Sequence, residues 1–216
     1  MGSITGQQIL DRAWSKGQDD GTRWKATDAL KWINDGQREI VRLLPKSNPI
    51  TTTKALQAGV RQTFAGLSIT NGVSIIDVTR NTTTGRAITQ RARAFLDDTR
   101  PTWVSETGTT YHWMQDERDP TAFYIYQAAA GDSVEIVYAA LPTDLANLNA
   151  AISLSDIYAN ALQLFLLHSF YSMGQTYTKN PALAATFWTM FAQSLGLGDT
   201  ATRQSAQEGR QHAAGA

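Results

Sequence analysis

Apolar residues recur at helical spacing near both ends of this chain and alternate with polar ones in its middle. Near the N-terminus, Ile9, Leu10, Ala13 and Trp14 share one side of a segment from Thr5 to Lys16, and the Gly-Gln-Asp-Asp-Gly run at 17–21 ends it. Thr27, with Asp28 behind it, reads as the N-cap of a second helix. On that helix Ala29, Ile33, Gly36, Ile40, Leu43 and Leu44 recur until Pro45 closes it. Helical pattern returns at Ser155 or Asp156, either of which suits a cap. One stripe there holds Ile157, Ala161, Leu164, His168 and Tyr171; a second beside it holds Leu162, Phe165, Leu166, Ser169, Phe170 and Met173. A helix apolar nearly all round must be covered on most sides, by its own fold or by other subunits. After Gly174 and Pro181, Leu183, Phe187, Met190, Phe191 and Leu195 define a last helix, stopped by Gly196 and Gly198.

Between these ends, residues 51–140 are rich in Thr, Val, Ile and aromatics with closely spaced turn signals, which predicts strands. Asn71-Gly72 between LSIT and VSII has the composition of a two-residue type I′ hairpin. A second turn at Asn81–Gly85 separates IIDVTR from RAITQRAR, and Phe95–Asp98 reads as a short helical turn. A last hairpin is expected to pair AFYIYQA with SVEIVYA around Gly131-Asp132. Phe123 and Ile125 alternate with Tyr124 and Tyr126, so both faces of that strand have something to cover. The expected fold is α+β: a four-helix bundle built from residues 1–50 and 150–197, a β-rich insertion at 51–149, and a flexible, extended C-terminal tail at 198–216 that lacks large apolar residues.

Composition sharpens this only a little. Of 216 residues, 42% are apolar and 18% charged, so the chain is globular with a low charge density, a hint that neighbours cover part of its surface. There is no cysteine, which excludes disulfides and thiolate metal sites. The N-terminus has no apolar run suited to a signal peptide and no segment is apolar enough to span a bilayer, so no membrane partner is expected. The net charge is zero, yet residues 1–100 hold 15 Lys and Arg against 9 Asp and Glu, and residues 101–216 hold 4 against 10. Such a chain can meet its own copies basic side to acidic side.

Candidate chemistry is sparse. Asp116-Glu117-Arg118-Asp119 is the one carboxylate cluster, and a cell-wall hydrolase would draw its acid and base from Asp116, Glu117 or Asp119. Neighbours on an extended segment point to opposite faces, so a solvated turn before Pro120 is the plainer reading. The three histidines, His112, His168 and His212, lie too far apart for zinc. Signatures of nucleophile elbows, P-loops and dinucleotide folds are missing. No catalytic residue, metal ligand or cofactor is therefore expected. Arg80, Arg86, Arg91, Arg93 and Arg100 are the most suggestive charges. On a strand, Arg91 and Arg93 would face the same way and present a row of guanidinium groups to phosphates. No aromatic residue lies between Arg80 and Arg93 to stack bases, so non-specific contact with DNA fits better than sequence reading.

Taken together, ATDALKWINDGQREIVRLLP at 26–45, DERDPTAFYIY at 116–126, VEIVYAALPTDL at 134–145 and ISLSDIYANALQLFLLHSFY at 152–171 resemble the head–tail adaptor (connector) proteins of tailed bacteriophages, particularly of podoviruses. The resemblance covers roughly residues 4–197. It implies a homo-oligomeric ring, usually of twelve copies, seated beneath the portal protein, extending the DNA channel and docking a downstream tail or nozzle protein. The implied location is the virion neck, with the host cytoplasm before assembly. The DNA-channel candidates are then Arg80, Arg86, Arg91 and Arg93. The portal or neighbour contacts are Phe170, Tyr171, Trp188, Arg203 and Arg210, the last two on the tail. Another neck ring (stopper, terminator or tail tube), a virion-associated hydrolase and a non-specific DNA-binding module remain open beside it.

Overall fold

Thr5 opens the first helix with a reciprocal cap. The Gln8 amide donates to Thr5 Oγ1 (3.2 Å) and the Thr5 amide to Gln8 Oε1 (3.0 Å), satisfying two donors that a helix start leaves over. Helix α1 (Gly6–Gly17) buries Ile9, Leu10 and Ala13 and ends at Gln18, whose φ of 50° is left-handed. In the computed structural model, the described residues are 2–128, 130–173 and 179–197. The expectations for the Met173 side chain, Gly174, the tail at 198–216, Arg203, Arg210 and His212 lie outside them.

Helix α2 (Ala26–Leu43) starts one residue ahead of Thr27, which therefore sits in its first turn rather than capping it. The amides of Asp28 and Ala29 instead donate to the Lys25 carbonyl. After α2 come seven strands and a short helix: β1 (Pro49–Ala55), β2 (Arg61–Thr63), β3 (Gly72–Asn81), β4 (Thr89–Gln90), α3 (Arg93–Thr99), β5 (His112–Gln115), β6 (Ala122–Tyr126) and β7 (Ser133–Ala140). Helices α4 (Ala159–Met173) and α5 (Pro181–Ser194) close the described chain. Mixed helix and sheet make the protein α+β. It divides into two compact units. One comprises the described residues of Met1–Ile40 and Pro142–Ala216, the other Val41–Leu141, so the changeovers come at 40/41 and 141/142.

In the helical unit, α4 is the central element. Gly36 of α2 allows a close approach, since a Cβ there would meet Phe165 Cδ1 at 2.9 Å and Leu162 Cδ2 at 3.1 Å. Trp24 stacks on Phe170 of α4 (4.3 Å, 6°) and Trp32 meets the same ring edge-on (5.1 Å). From the α1 side, Gln163 Nε2 of α4 donates to the Arg12 carbonyl. Asp156 caps the chain's beginning instead of α4: its carboxylate accepts from the amides of Ser3 and Ile4 and from Ser3 Oγ. Asn180 caps α5 by accepting from the Leu183 amide (3.1 Å), and Pro181 takes the first helical position, where a missing N–H does no harm. The cover that the apolar α4 needs comes largely from within this unit: Leu162, Leu166, Leu167 and Phe170 are fully buried.

The second unit is a β-sandwich. β1, β7 and β3 form one antiparallel sheet with β7 central; β2, β6, β5 and β4 form the other, β4 running parallel to β5. Two expected hairpins are corrected. β6 and β7 are consecutive but belong to different sheets, because Gln127 (φ 57°) and Gly131 (φ 91°) turn the chain across the sandwich rather than back along β6. Phe123 and Ile125 then meet Val134 and Ile136 in one core with Trp113, Ile75 and Val78. Asn71-Gly72 is not a I′ turn either, because neither residue has the positive φ that turn requires. Asn71 is a junction, accepting from the Leu141 amide and from Tyr138 Oη, and β3 pairs with β7. The turn at 81–85 does form, with the Asn81 amide donating to the Arg86 carbonyl and Gly85 at φ 73°. On the other face of the four-stranded sheet, Leu96 of α3 packs with Trp103, Met114 and Tyr126. That second layer explains why β6 is apolar on both faces.

Candidate functional site

Four arginines carry the sequence-level expectation, and the structure separates them. β4 is only two residues long and Arg93 begins α3, so Arg91 and Arg93 do not form a row on one strand. Ala92 turns the chain, and the alternation that would align them ends there. Arg80 on β3 pairs with Glu135 of β7 (2.8 Å), and Arg93 pairs with Asp97 one turn along α3 (3.4 Å) while lying over Tyr124 (5.0 Å). Both charges are answered locally. Arg86 lies 3.9 Å from the centre of the Tyr111 ring and Arg91 lies 5.7 Å from that of Phe95. Neither has a carboxylate within ion-pair distance among the described residues, and both are exposed.

His112, at the start of β5, lies near both of these arginines. Its Nδ1 is 2.7 Å from Thr89 Oγ1 and its ring lies nearly parallel to that of Tyr126. Burial first, then the charges of Arg91 and Arg86, push its pKa below the usual histidine value of 6.5, so it is neutral at neutral pH. Sequence reasoning missed this grouping, since Tyr111, His112 and Phe95 come from segments flanking the arginine stretch. Only the parallel pairing of β4 with β5 joins them.

The carboxylate cluster lies in the loop between β5 and β6, beside a cleft of about 650 Å³ shared with Arg61 and Arg93. Arg61 of β2, not singled out from sequence, clips the loop: Nε lies 3.1 Å from Asp116 and Nη2 lies 3.0 Å from Asp119. Asp116 also accepts from the Arg118 amide, and Asp119 from the amide and hydroxyl of Thr121. The Arg118 amide, then Arg61, hold Asp116 below the usual carboxylate range. Thr121, then Arg61, do the same to Asp119. A general acid needs a carboxyl whose pKa is raised, and these two are shifted the opposite way. Among the described residues no group of three or more His, Cys, Asp or Glu can hold a metal ion.

The contact candidates also part company. Phe170 is fully buried between Trp24 and Trp32, so its ring is used inside the chain and it is withdrawn as a neighbour contact. Tyr171 is half-buried, stacked on Phe187 (5.6 Å, 13°). Trp188 is half-buried beside His168 (5.2 Å) and lines a shallow groove of about 590 Å³ with Pro181, Ala184 and Ala185. His168 itself donates from Nδ1 to the Ala184 carbonyl (2.9 Å), which makes it a tie between α4 and α5.

A protein-family model described as SU10 adaptor protein matches residues 4–213. The chain belongs to this family. A search of the curated proteins finds no match. Membership makes the chain a structural bacteriophage adaptor and a component of the virion, not an enzyme, in keeping with the clipped carboxylates. No described helix is long and apolar enough to cross a membrane. The segments that carried the resemblance fall within the matched residues, on α2, the Arg61-clipped loop with β6, β7, and α4 with the turn before it.

Proposed function

We propose that this adaptor works as a homo-oligomeric ring, of twelve copies, beneath the portal protein of a podovirus-type capsid. There it extends the DNA channel and offers the next tail or nozzle protein its docking surface. The observation that carries the reading is the uncovered apolar face of α5 in a chain of an adaptor family. Leu183 is 37% exposed and Met190 44%, and Ile157 ahead of α4 is 77% exposed. Leu183 and Met190 lie two turns apart on one side of α5, and an exposed apolar patch there is a surface that a partner covers. Within the ring the four long helices serve as a four-helix bundle, with Tyr171 and Trp188 beside the contact face and Arg203 and Arg210 reaching the portal. Of the four arginines proposed to face DNA, Arg86 and Arg91 are the best supported, because the charges of Arg80 and Arg93 are already paired.

The test is to mix purified chain with purified portal and measure mass by light scattering. A species of portal plus many copies is expected, abolished by Leu183→Glu with Met190→Glu. A chain that stays solitary with portal refutes the reading, and one that binds a different neck or tail ring reassigns it as a stopper, terminator or tail-tube protein.

A further inference from the structure

A cleft of about 370 Å³ opens between α3 and strands β5 and β6, lined by Phe95, Arg100, Tyr111, His112 and Tyr126 among others. Its volume is at the small end for a ligand pocket, the size for one compact group. Two lining rings, Tyr111 and Phe95, each have an arginine beside them, Arg86 (3.9 Å) and Arg91 (5.7 Å) respectively, and neither arginine has a carboxylate partner among the described residues. The cation among the lining residues, Arg100, is answered by Glu106 (3.4 Å), which also accepts from Tyr126 Oη (2.6 Å), while Arg86 and Arg91 stand beside the lining rings. The local surplus of positive charge therefore rests on Arg86 and Arg91. Phe95 is 49% exposed, so part of its ring is open to solvent at the cleft.

We propose that this cleft holds a nucleotide with an unpaired base, the base lying on the Phe95 and His112 rings and the phosphate held by Arg86 and Arg91. Stacking surfaces beside arginine is how sequence-tolerant single-strand sites are built. A duplex backbone would satisfy the two arginines but leave the exposed ring unused. A neutral His112, as its surroundings hold it, presents a flat ring to a base without adding charge. The inference deepens the DNA-facing reading of Arg86 and Arg91 and rests on it for those two side chains.

The full chain is titrated with dAMP, inorganic phosphate, a short single-stranded oligonucleotide, a blunt duplex and an acidic peptide, by calorimetry and by the His112 imidazole resonance. dAMP and the single strand are expected to bind and move that resonance, with phosphate alone at least about tenfold weaker. Phe95→Ala removes this advantage and leaves phosphate binding intact, whereas Arg86→Gln with Arg91→Gln weakens both. All three side chains are exposed, so the variants should fold. Equal affinity for phosphate and dAMP overturns the proposal. So does tighter capture of an acidic peptide, which assigns the cleft to a protein partner. Binding of the duplex alone sinks the nucleotide pocket and leaves the DNA-facing arginines standing, while no binding at all sinks both.

Discussion

Asn34 tests whether burial or charge holds the segment after Pro142 onto α2. Asn34 Nδ2 donates to the Leu145 carbonyl (3.2 Å), and the Leu145 amide donates back to Asn34 Oδ1 (2.8 Å), both groups being closed off from water. One turn on, the fully buried Gln37 accepts from the Ser153 amide (2.8 Å) and donates to Asn34 Oδ1 (3.4 Å). Asn34→Leu keeps the branching and the number of heavy atoms but leaves a buried amide and a buried carbonyl without partners. Each such group costs about 1–3 kcal/mol. The added apolar burial offsets part of that, so the net loss should be about 2–4 kcal/mol. Arg38→Ala is the control. Arg38 links α2 to the same segment through Asp144 and also pairs with Asp35 (2.8 Å), but these groups are exposed, and such pairs contribute less than about 1 kcal/mol. Guanidinium unfolding gives the stability change, and hydrogen exchange of the Leu145 amide shows whether its protection is lost. The reasoning fails if Asn34→Leu stays within about 0.5 kcal/mol of the parent with Leu145 still protected. It fails equally if Arg38→Ala costs as much.

Three further outcomes are expected. Gly17→Ala should lower the melting temperature although alanine favours helices by about 1 kcal/mol, because a Cβ at 17 runs into the buried Trp24 ring and dislodges it from Phe170. An unchanged or raised melting temperature would contradict the Trp24 placement. His112, depressed on folding, takes up its proton below pH 6.5 in the folded chain, so stability should fall as pH drops through 6.5 and the unfolded chain is protonated first. Arg91→Gln should move the His112 NMR midpoint up towards 6.5, and an unmoved midpoint would remove the arginine from the account. Asp156 is held below its ordinary 3.8 by the Ile4 amide and by Ser3, so its contribution is present above 3.8 and lost as pH falls from there. Asp156→Asn should flatten that acid limb in a pH series of unfolding curves, with hydrogen exchange at Ser3 and Ile4 rising at neutral pH.

The helices were legible because each carries its own apolar stripe, even where the caps expected at Thr27 and at Ser155 or Asp156 did not form. Strand partners were not, because composition marks where a chain turns and not what it turns towards. Gly131-Asp132 does sit at a turn, but the turn crosses a sandwich, and only the shared core of Phe123, Ile125, Val134 and Ile136 shows it. Arg86 and Arg91 stood out as charges in the sequence. Their surroundings came from Tyr111 and His112, some twenty residues on, and Arg61 acquired a role only when the β2–β6 pairing brought it to the carboxylate loop.

A helix apolar all round, as α4 is, needs cover on most sides from its own fold or from other subunits, and its buried leucines show that its own fold supplies most of it. An apolar circumference does not decide whether cover comes from the same chain. Here α1, α2 and α5 supply it, with Gly36 and the Trp24–Phe170 stack closing the gaps. The helix left wanting is α5, which buries Ala184 and Phe191 and shows Leu183 and Met190. A chain built this way can fold as a monomer around α4 and keep α5 for a partner. Substitutions on the two helices should then separate cleanly: Phe170→Ala should cost about 3–5 kcal/mol of folding stability, while Met190→Glu leaves unfolding nearly unchanged and reads out only in assembly. If Met190→Glu instead unfolds the chain, α5 belongs to the core and the surface assigned to a partner must lie elsewhere.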